Sequence, residues 1–110
     1  MYLFGASGHA KVIMDILDAM GLPIDALIDD NETINELHGY DVQHGVVDAS
    51  PIIVSIGNNA IRKKVVNKLT GHFGKAVHPT AIVSPSASVD EGTVVMQGAI
   101  IQADAVVGKH

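Results

Sequence analysis

The 110-residue sequence contains no cysteine and no tryptophan, and it has only two tyrosines and two phenylalanines. Without cysteine the chain forms neither a disulfide nor a thiolate metal site, and we expect a cytoplasmic protein. No apolar run is long enough to span a membrane, and no signal-peptide pattern precedes the first motif. Positive charge is scarce, with seven Lys and Arg against twelve Asp and Glu. The net charge of −5 argues against nucleic acid and anionic membranes as partners.

The residues that are present indicate a folded, aliphatic protein. Apolar residues make up 47% of the chain and charged residues 17%, so disorder is excluded. Because the apolar residues are nearly all aliphatic, they suit parallel sheets and stacked coils, whose strands are buried on both faces.

Residues 1–75 alternate between strand and helix patterns. Apolar segments at residues 2–4, 24–28 and 52–56 predict three strands, each followed by a turn-forming segment. Apolar residues spaced on one helical face predict a first helix that ends near Gly21. Residues 32–50 are polar and predict only loops and a short strand. This order predicts a small Rossmann-like parallel sheet in an α/β domain.

A second helix is predicted after Gly57. Asn58 or Asn59 is a suitable N-cap, and the helix is expected to end near Gly71. Its pattern predicts that Ile61, Val65 and Leu69 face the core, while its basic residues face solvent: Arg62, Lys63, Lys64 and Lys68. A position near the phosphates of a bound ligand is the alternative for Arg62.

From residue 77 onward, aliphatic residues recur every six positions. The aliphatic residues are Val77, Val83, Val89, Val95, Ile101 and Val107. Each of the first five is followed four places later by a small residue, and these are Ala81, Ala87, Thr93, Ala99 and Ala105. A period of six fits neither an α-helix nor a flat sheet, but it does fit the flat sides of a left-handed parallel β-helix. A meander of short strands is the alternative, but it has no reason to keep this phase.

The Gly5-Ala6-Ser7-Gly8 segment between the first strand and the first helix is a candidate anion site. Glycines allow close approach to the backbone, and the helix that follows presents free N–H groups. Ser7 stands where a dinucleotide fingerprint has its middle glycine, so a plain tight turn is an equal alternative. His9 opens the helix and is expected to reach a ligand over the turn, although it could simply be a helix-capping residue.

Two further groups of polar residues follow predicted strands. Asp29 and Asp30 end the second strand and are candidates for ribose or base binding, with a solvated turn as the alternative. Gly57 and Asn58 end the third strand, where Asn58 either binds ligand or only caps the helix. The remaining histidines have no paired spacing, so we predict no metal site.

The ordered set of motifs resembles a known family. Phe4-Gly5-Ala6-Ser7-Gly8-His9, Asp29-Asp30, Ser55-Ile56-Gly57-Asn58-Asn59 followed by Ile61-Arg62-Lys63-Lys64, and then the hexads, together resemble the sialic acid O-acetyltransferase and bacillosamine-pathway N-acetyltransferase family. The resemblance implies a nucleotide-sugar-binding domain at residues 1–75 and the start of a left-handed β-helix at residues 76–110. It also implies substrate-binding roles for Ser7, Gly8, His9, Asp29, Asp30, Gly57 and Asn58.

The resemblance further implies a reaction. Acetyl-CoA would donate an acetyl group to an amino or hydroxyl group of a nucleotide-linked sugar, a UDP-type sugar being favoured, in a homotrimer. The family's catalytic His lies in a later hexad, so we assign no catalytic residue, expect an exposed His110, and expect a fragment without activity of its own.

Two alternatives remain open. The glycine turn and its following acid also fit a nicotinamide-dinucleotide-binding oxidoreductase or regulator domain, although this reading does not explain the hexads. A β-helix that only assembles subunits, without ligand binding, is the other alternative.

Overall fold

A computed structural model describes residues 1–110. The first part contains strands β1 to β5 and two helices, in the order β1 (Tyr2–Phe4), α1 (Gly8–Ala19), β2 (Ala26–Ile28), β3 (Glu36–Leu37), β4 (Tyr40–Gln43), β5 (Ile52–Val54) and α2 (Asn59–Lys68). The strands form one sheet with the order β3–β4–β2–β1–β5, in which only β3 runs antiparallel to its neighbour. β1 therefore lies between two parallel strands, and the carboxyl ends of β1, β2 and β5 share one edge.

The two helices cover opposite faces of this sheet. Leu3, Leu27 and Ile53 belong to the cluster that contains residues of α1, whereas Phe4 and Val54 belong to the cluster that contains Val65 of α2 and its C-cap Leu69. This division follows from strand geometry, since successive side chains point to opposite faces.

The second part of the chain is a coil of short parallel strands, β6 (Ala76–Val77), β7 (Ile82–Val83), β8 (Ser88–Val89), β9 (Val94–Val95), β10 (Ile100–Ile101) and β11 (Val106–Val107). Each strand pairs with the one three places later, so that Val77 lies beside Val95 and Val83 beside Ile101. The offset of each pair is therefore three times the period of six found in the sequence. The predicted fold class, a Rossmann-like parallel sheet followed by the first coils of a β-helix, is confirmed.

The coil is continuous with the α/β part. Ala76 is fully buried in the α1 cluster, and the Val77 amide contacts the Met20 sulfur at 3.3 Å. Phe73, just before the coil, forms an isolated parallel bridge to Ile52, so the segment that leads into the coil runs along the outer edge of β5. The division of the chain at residues 75 and 76 stays a prediction.

Several elements differ from their predicted bounds. β2 and β5 are shorter than predicted, and α2 ends at Lys68, before Gly71. Residues 32–50 contain the β3–β4 hairpin, whose β4 joins the main sheet beside β2. Ile61 was predicted to face the core, but it is 51% exposed, because α2 packs on the sheet through Val65 in its second half and through Leu69, which directly follows the helix. Neither helix has the length and apolar character needed to cross a membrane.

Candidate functional site

The turn at residues 5–8, here called the glycine turn, presents the open end of α1 at the carboxyl edge of the sheet. Ser7 is the N-cap, yet its side chain makes no capping hydrogen bond, and the first turn of α1 contains no acidic residue. The amides of Gly8 and His9 lie in the first helical turn, where no intrahelical partner exists, and they donate to no other group. These free N–H groups and the positive end of the helix dipole make a site suited to an anion.

Asp29 follows β2 and contacts the glycine turn. Its Oδ2 accepts a hydrogen bond from the Ala6 amide at 2.9 Å, and its Oδ1 accepts one from the Asn31 amide at 2.8 Å. The His44 ring contacts the Asp29 carbonyl at 2.7 Å. Both carboxylate oxygens are therefore engaged by backbone groups of this chain.

Asp30 is directed differently from its neighbour. Its carboxylate pairs with Lys68 at the end of α2, and the Lys68 ammonium lies 4.9 Å from the centre of the Phe4 ring. Both side chains of the ion pair are about half exposed. Asp29 and Asp30, although adjacent in sequence, thus lie toward opposite faces of the sheet.

The loop after β5 brings Gly57 and Asn58 to the same edge. Asn58 Oδ1 accepts a hydrogen bond from the Ile61 amide at 3.0 Å, so Asn58 caps α2. A side chain added at Gly57 would meet nothing within 4 Å, so the backbone there is open to a ligand. In contrast with α1, the N-terminus of α2 is closed by its own cap.

A cleft of about 420 Å³ lies between this edge and the coil. The α/β part contributes His9, Val54 and Arg62, and the coil contributes eight residues: Gly92, Thr93, Val94, Met96, Val107, Gly108, Lys109 and His110. Of the predicted binding residues, only His9 lines this cleft. The other six lie at strand ends or at helix N-termini around it: Ser7, Gly8, Asp29, Asp30, Gly57 and Asn58.

Two residues of the cleft differ from their predicted surroundings. Arg62 was predicted to face solvent, but it is partly buried, and its guanidinium donates to the Ile56 carbonyl at 3.3 Å and to Asn59 Oδ1. His110 was expected to be exposed, but its ring packs edge-on against Phe73 with centroids 4.3 Å apart. Burial lowers the pKa of His110, although the nearby Glu91 carboxylate acts in the opposite direction.

The coil residues of the cleft were missed, because the hexad pattern identifies inward aliphatic residues and not those that face another part of the chain. The basic side chains of Arg62 and Lys109 give the cleft a positive rim, although Lys109 also pairs with Glu91 at 3.3 Å. No three His, Asp or Glu side chains are close enough to hold a metal ion.

Comparison with solved structures finds similar chains among acetyltransferases. The chain is 30% identical to a variant of perosamine N-acetyltransferase from Caulobacter crescentus in complex with CoA and GDP-perosamine, with a TM-score of 0.82. It is 32% identical to the acetyltransferase domain of PglB from Neisseria gonorrhoeae in complex with acetyl coenzyme A, also with a TM-score of 0.82. Each match covers 98% of this chain, but only 56% and 58% of the other chain.

Sequence comparison gives one further relative and a family. The uncharacterized protein L142 of Acanthamoeba polyphaga mimivirus is 29% identical over 114 residues, which are 98% of this chain and 23% of that protein. This chain therefore spans little more than half the length of the similar solved structures and about a quarter of L142. Residues 1–69, which include the glycine turn and both helices, match the PglD N-terminal domain family, and the chain belongs to this family.

Proposed function

We propose that this chain holds the nucleotide-sugar substrate of an acetyl-CoA-dependent sugar acetyltransferase. The observation that carries the proposal is the open N-terminus of α1, where Ser7 leaves the helix uncapped beside the ends of three parallel strands. A sugar nucleotide carries a diphosphate, which suits free amides at a helix N-terminus. The relatives from Caulobacter and Neisseria support the class of reaction and the acetyl donor.

In the proposed reaction, an amine or hydroxyl of the sugar attacks the thioester carbonyl of acetyl-CoA. A carbon–nitrogen or carbon–oxygen bond forms, the carbon–sulfur bond breaks, and coenzyme A leaves as the thiol. A general base must accept the proton of the attacking group. The role proposed for this chain is to bind and orient the sugar nucleotide, and we assign no catalytic residue to it.

The proposed binding residues divide by the part of the ligand that they meet. Ser7, Gly8 and His9 bind the diphosphate, because their amides, hydroxyl and imidazole surround the start of α1. Gly57 lets the nucleoside lie against the backbone, while Asn58 shapes this loop through its cap. Asp30 is proposed to accept a hydrogen bond from the ribose while it stays paired with Lys68. Asp29, which contacts the glycine turn at the same edge of the sheet, is the remaining proposed binding residue.

We propose a UDP-type sugar as the first candidate ligand, on the strength of the motif resemblance. A GDP-type sugar is the second candidate, because the Caulobacter relative is in complex with GDP-perosamine. The binding test therefore includes both types of sugar nucleotide.

A homotrimer assembled through the coil is also proposed. Ile82 and Ile100 pair side by side on one flat side of the coil, and they are 63% and 61% exposed. Adjacent apolar side chains of this kind are typical of a surface that is covered in an assembly.

Titration calorimetry of the chain with UDP-sugars, GDP-sugars and NADH tests the proposal. We expect one of the sugar nucleotides to bind and NADH not to bind, and His9→Ala should weaken binding about tenfold through loss of a charge-assisted hydrogen bond. His72→Ala is the control, since His72 is exposed and outside the site. A folded chain that binds none of the sugar nucleotides, or that binds NADH instead, contradicts the proposal.

Sedimentation velocity tests the assembly. Ile82→Glu should shift the chain toward monomer, because it places a charge in the apolar pair with Ile100. Ile61→Glu is the matched control, since Ile61 is an equally large exposed residue on α2. A chain that is monomeric at every concentration rules out this surface as the basis of a trimer.

A further inference from the structure

The amides that form the proposed anion site belong to a turn that is fixed from both sides. The Gly5 amide donates to the Ile28 carbonyl at 2.7 Å, and the Ala6 amide donates to Asp29 Oδ2 at 2.9 Å. On the other side, the Ser55 hydroxyl contacts the Gly5 carbonyl at 2.7 Å. Strands β2 and β5 therefore hold the start of the glycine turn through consecutive backbone groups.

We infer that Asp29 is a positioning residue, which orients the ligand-binding amides through Ala6 and does not itself contact the nucleotide. This inference rests on the proposed function and assigns Asp29 a different part in it. Once the Ala6 amide is bound to Asp29, the next three amides along the chain, those of Ser7, Gly8 and His9, are the ones left without partners.

The carboxylate geometry supports this role. Each oxygen of Asp29 already accepts one backbone N–H, from Ala6 and from Asn31, and such charge-assisted bonds are the strong ones. Asp29 is also only partly exposed, whereas Asp30 beside it is exposed. A ribose bound by this carboxylate would have to use the remaining lone pairs, beside the two amides that already hold the oxygens.

Ser55 is the second positioning residue. Its side chain is fully buried, and its hydroxyl reaches both the Phe4 carbonyl, at 2.9 Å, and the Gly5 carbonyl. Because the Ser55 amide also donates to the Phe4 carbonyl at 2.8 Å, the hydroxyl is held at the point where β1 becomes the turn. Its loss frees the Gly5 carbonyl and leaves the turn held only from the β2 side.

The test compares Asp29→Ala with Asp18→Ala, which removes the same charge at the far, exposed end of α1. Binding of UDP, GDP and their 2′-deoxy forms is measured by calorimetry, and exchange of the Ala6 amide proton is measured by NMR without ligand. Asp29→Ala should speed Ala6 exchange and weaken the tighter-binding nucleotide about tenfold or more. Ser55→Ala should also weaken binding, and Asp18→Ala should change neither quantity.

The ratio of the affinities for the 2′-deoxy nucleotide and the ribonucleotide distinguishes a positioning role of Asp29 from direct contact with the ribose. We expect Asp29→Ala to weaken both forms by the same factor, so that the wild-type ratio is kept, and Asp29→Asn to restore part of the affinity by offering Ala6 one oxygen. A ratio that collapses to one in Asp29→Ala shows direct ribose contact and overturns the inference. Unchanged Ala6 exchange also overturns it, even if nucleotides bind, whereas failure of the wild-type chain to bind any nucleotide instead refutes the proposed function.

Discussion

Replacement of Gly5 by alanine should destabilise the fold, because this glycine is both conformationally and sterically required. Gly5 has φ of +113°, a region that residues with a side chain rarely adopt. A Cβ atom at this position would lie 2.9 Å from the Ser55 carbonyl oxygen and 2.9 Å from Ile56 Cγ1. The carbonyl oxygen cannot move easily, because Ser55 is fully buried and bonded to β1 through its amide and hydroxyl.

The size of the effect follows from two contributions. Strained backbone of this kind costs about 1–3 kcal/mol, and crowding of a packed interior costs about 1–3 kcal/mol more. We therefore expect Gly5→Ala to lower the free energy of unfolding by about 2 kcal/mol or more. Domains of this size have about 5–15 kcal/mol of stability, so the variant should fold but should unfold at clearly lower urea concentration.

Gly57→Ala provides the matched comparison at the neighbouring strand end. Gly57 has no left-handed φ, and an added Cβ meets nothing within 4 Å. The same substitution should therefore leave stability unchanged or raise it by up to about 1 kcal/mol, because alanine restricts the unfolded chain. Urea unfolding followed by far-ultraviolet circular dichroism measures both variants. A Gly5→Ala protein within about 0.5 kcal/mol of wild type would refute the reasoning.

Three further outcomes are expected from stability measurements. His38, with φ of +51°, is the first central residue of the two-residue β3–β4 turn. His38→Asn should raise the free energy of unfolding by about several tenths of a kcal/mol, since Asn tolerates this conformation. Thermal melts measure the effect, and an unchanged melting temperature contradicts it. Thr93→Val should lower the free energy of unfolding by about 1–3 kcal/mol, because it removes the hydrogen bond from the buried hydroxyl to the Gly108 carbonyl. Urea titration measures the loss, and an unfolding midpoint equal to that of wild type would contradict it. Burial lowers the pKa of His110, so the folded chain binds fewer protons than the unfolded chain, and stability should fall as pH drops below 6.5 toward the folded pKa. His110→Gln should flatten this part of the pH profile, and a profile identical to wild type would exclude His110 as its source.

The sequence predicted those elements whose patterns are set by burial alone. The helix α1 and the strands β1 and β5 are apolar on the faces that pack, and glycine or proline ends each pattern. The coil was predictable because every hexad contributes one inward aliphatic residue. Strands one turn of the coil apart then pair, as Val77 of β6 does with Val95 of β9. The β3–β4 hairpin was not predicted, because Val42 is its only buried residue and a single apolar position has no period.

The position of Arg62 could not be read from the helix pattern either. A basic residue on an amphipathic helix is normally assigned to the solvent face. In the structure its guanidinium donates to the Ile56 carbonyl, and its partner is therefore a backbone group that no side-chain pattern reports. The prediction that Ile61 faces the core was wrong, because only the second half of α2 packs against the sheet.

The opposite directions of Asp29 and Asp30 follow from the two-residue period of the strand that precedes them. Leu27 belongs to the α1 cluster and Ile28 to the α2 cluster, so the same alternation carries Asp29 toward the turn before α1 and Asp30 toward Lys68 on α2. An acidic pair at a strand end is therefore two separate positions and not one doubled site.

The order of the strands in the sheet locates the cleft. The chain moves from β1 outward to β2 and β4, and then returns to the other side of β1 as β5. Ligands of open α/β sheets bind where the strand order reverses, which here is the β1–β5 boundary lined by His9 and Val54. Eight of the eleven residues that line the cleft belong to the coil, so a ligand that fills the cleft would contact the β-helix as well as the sheet.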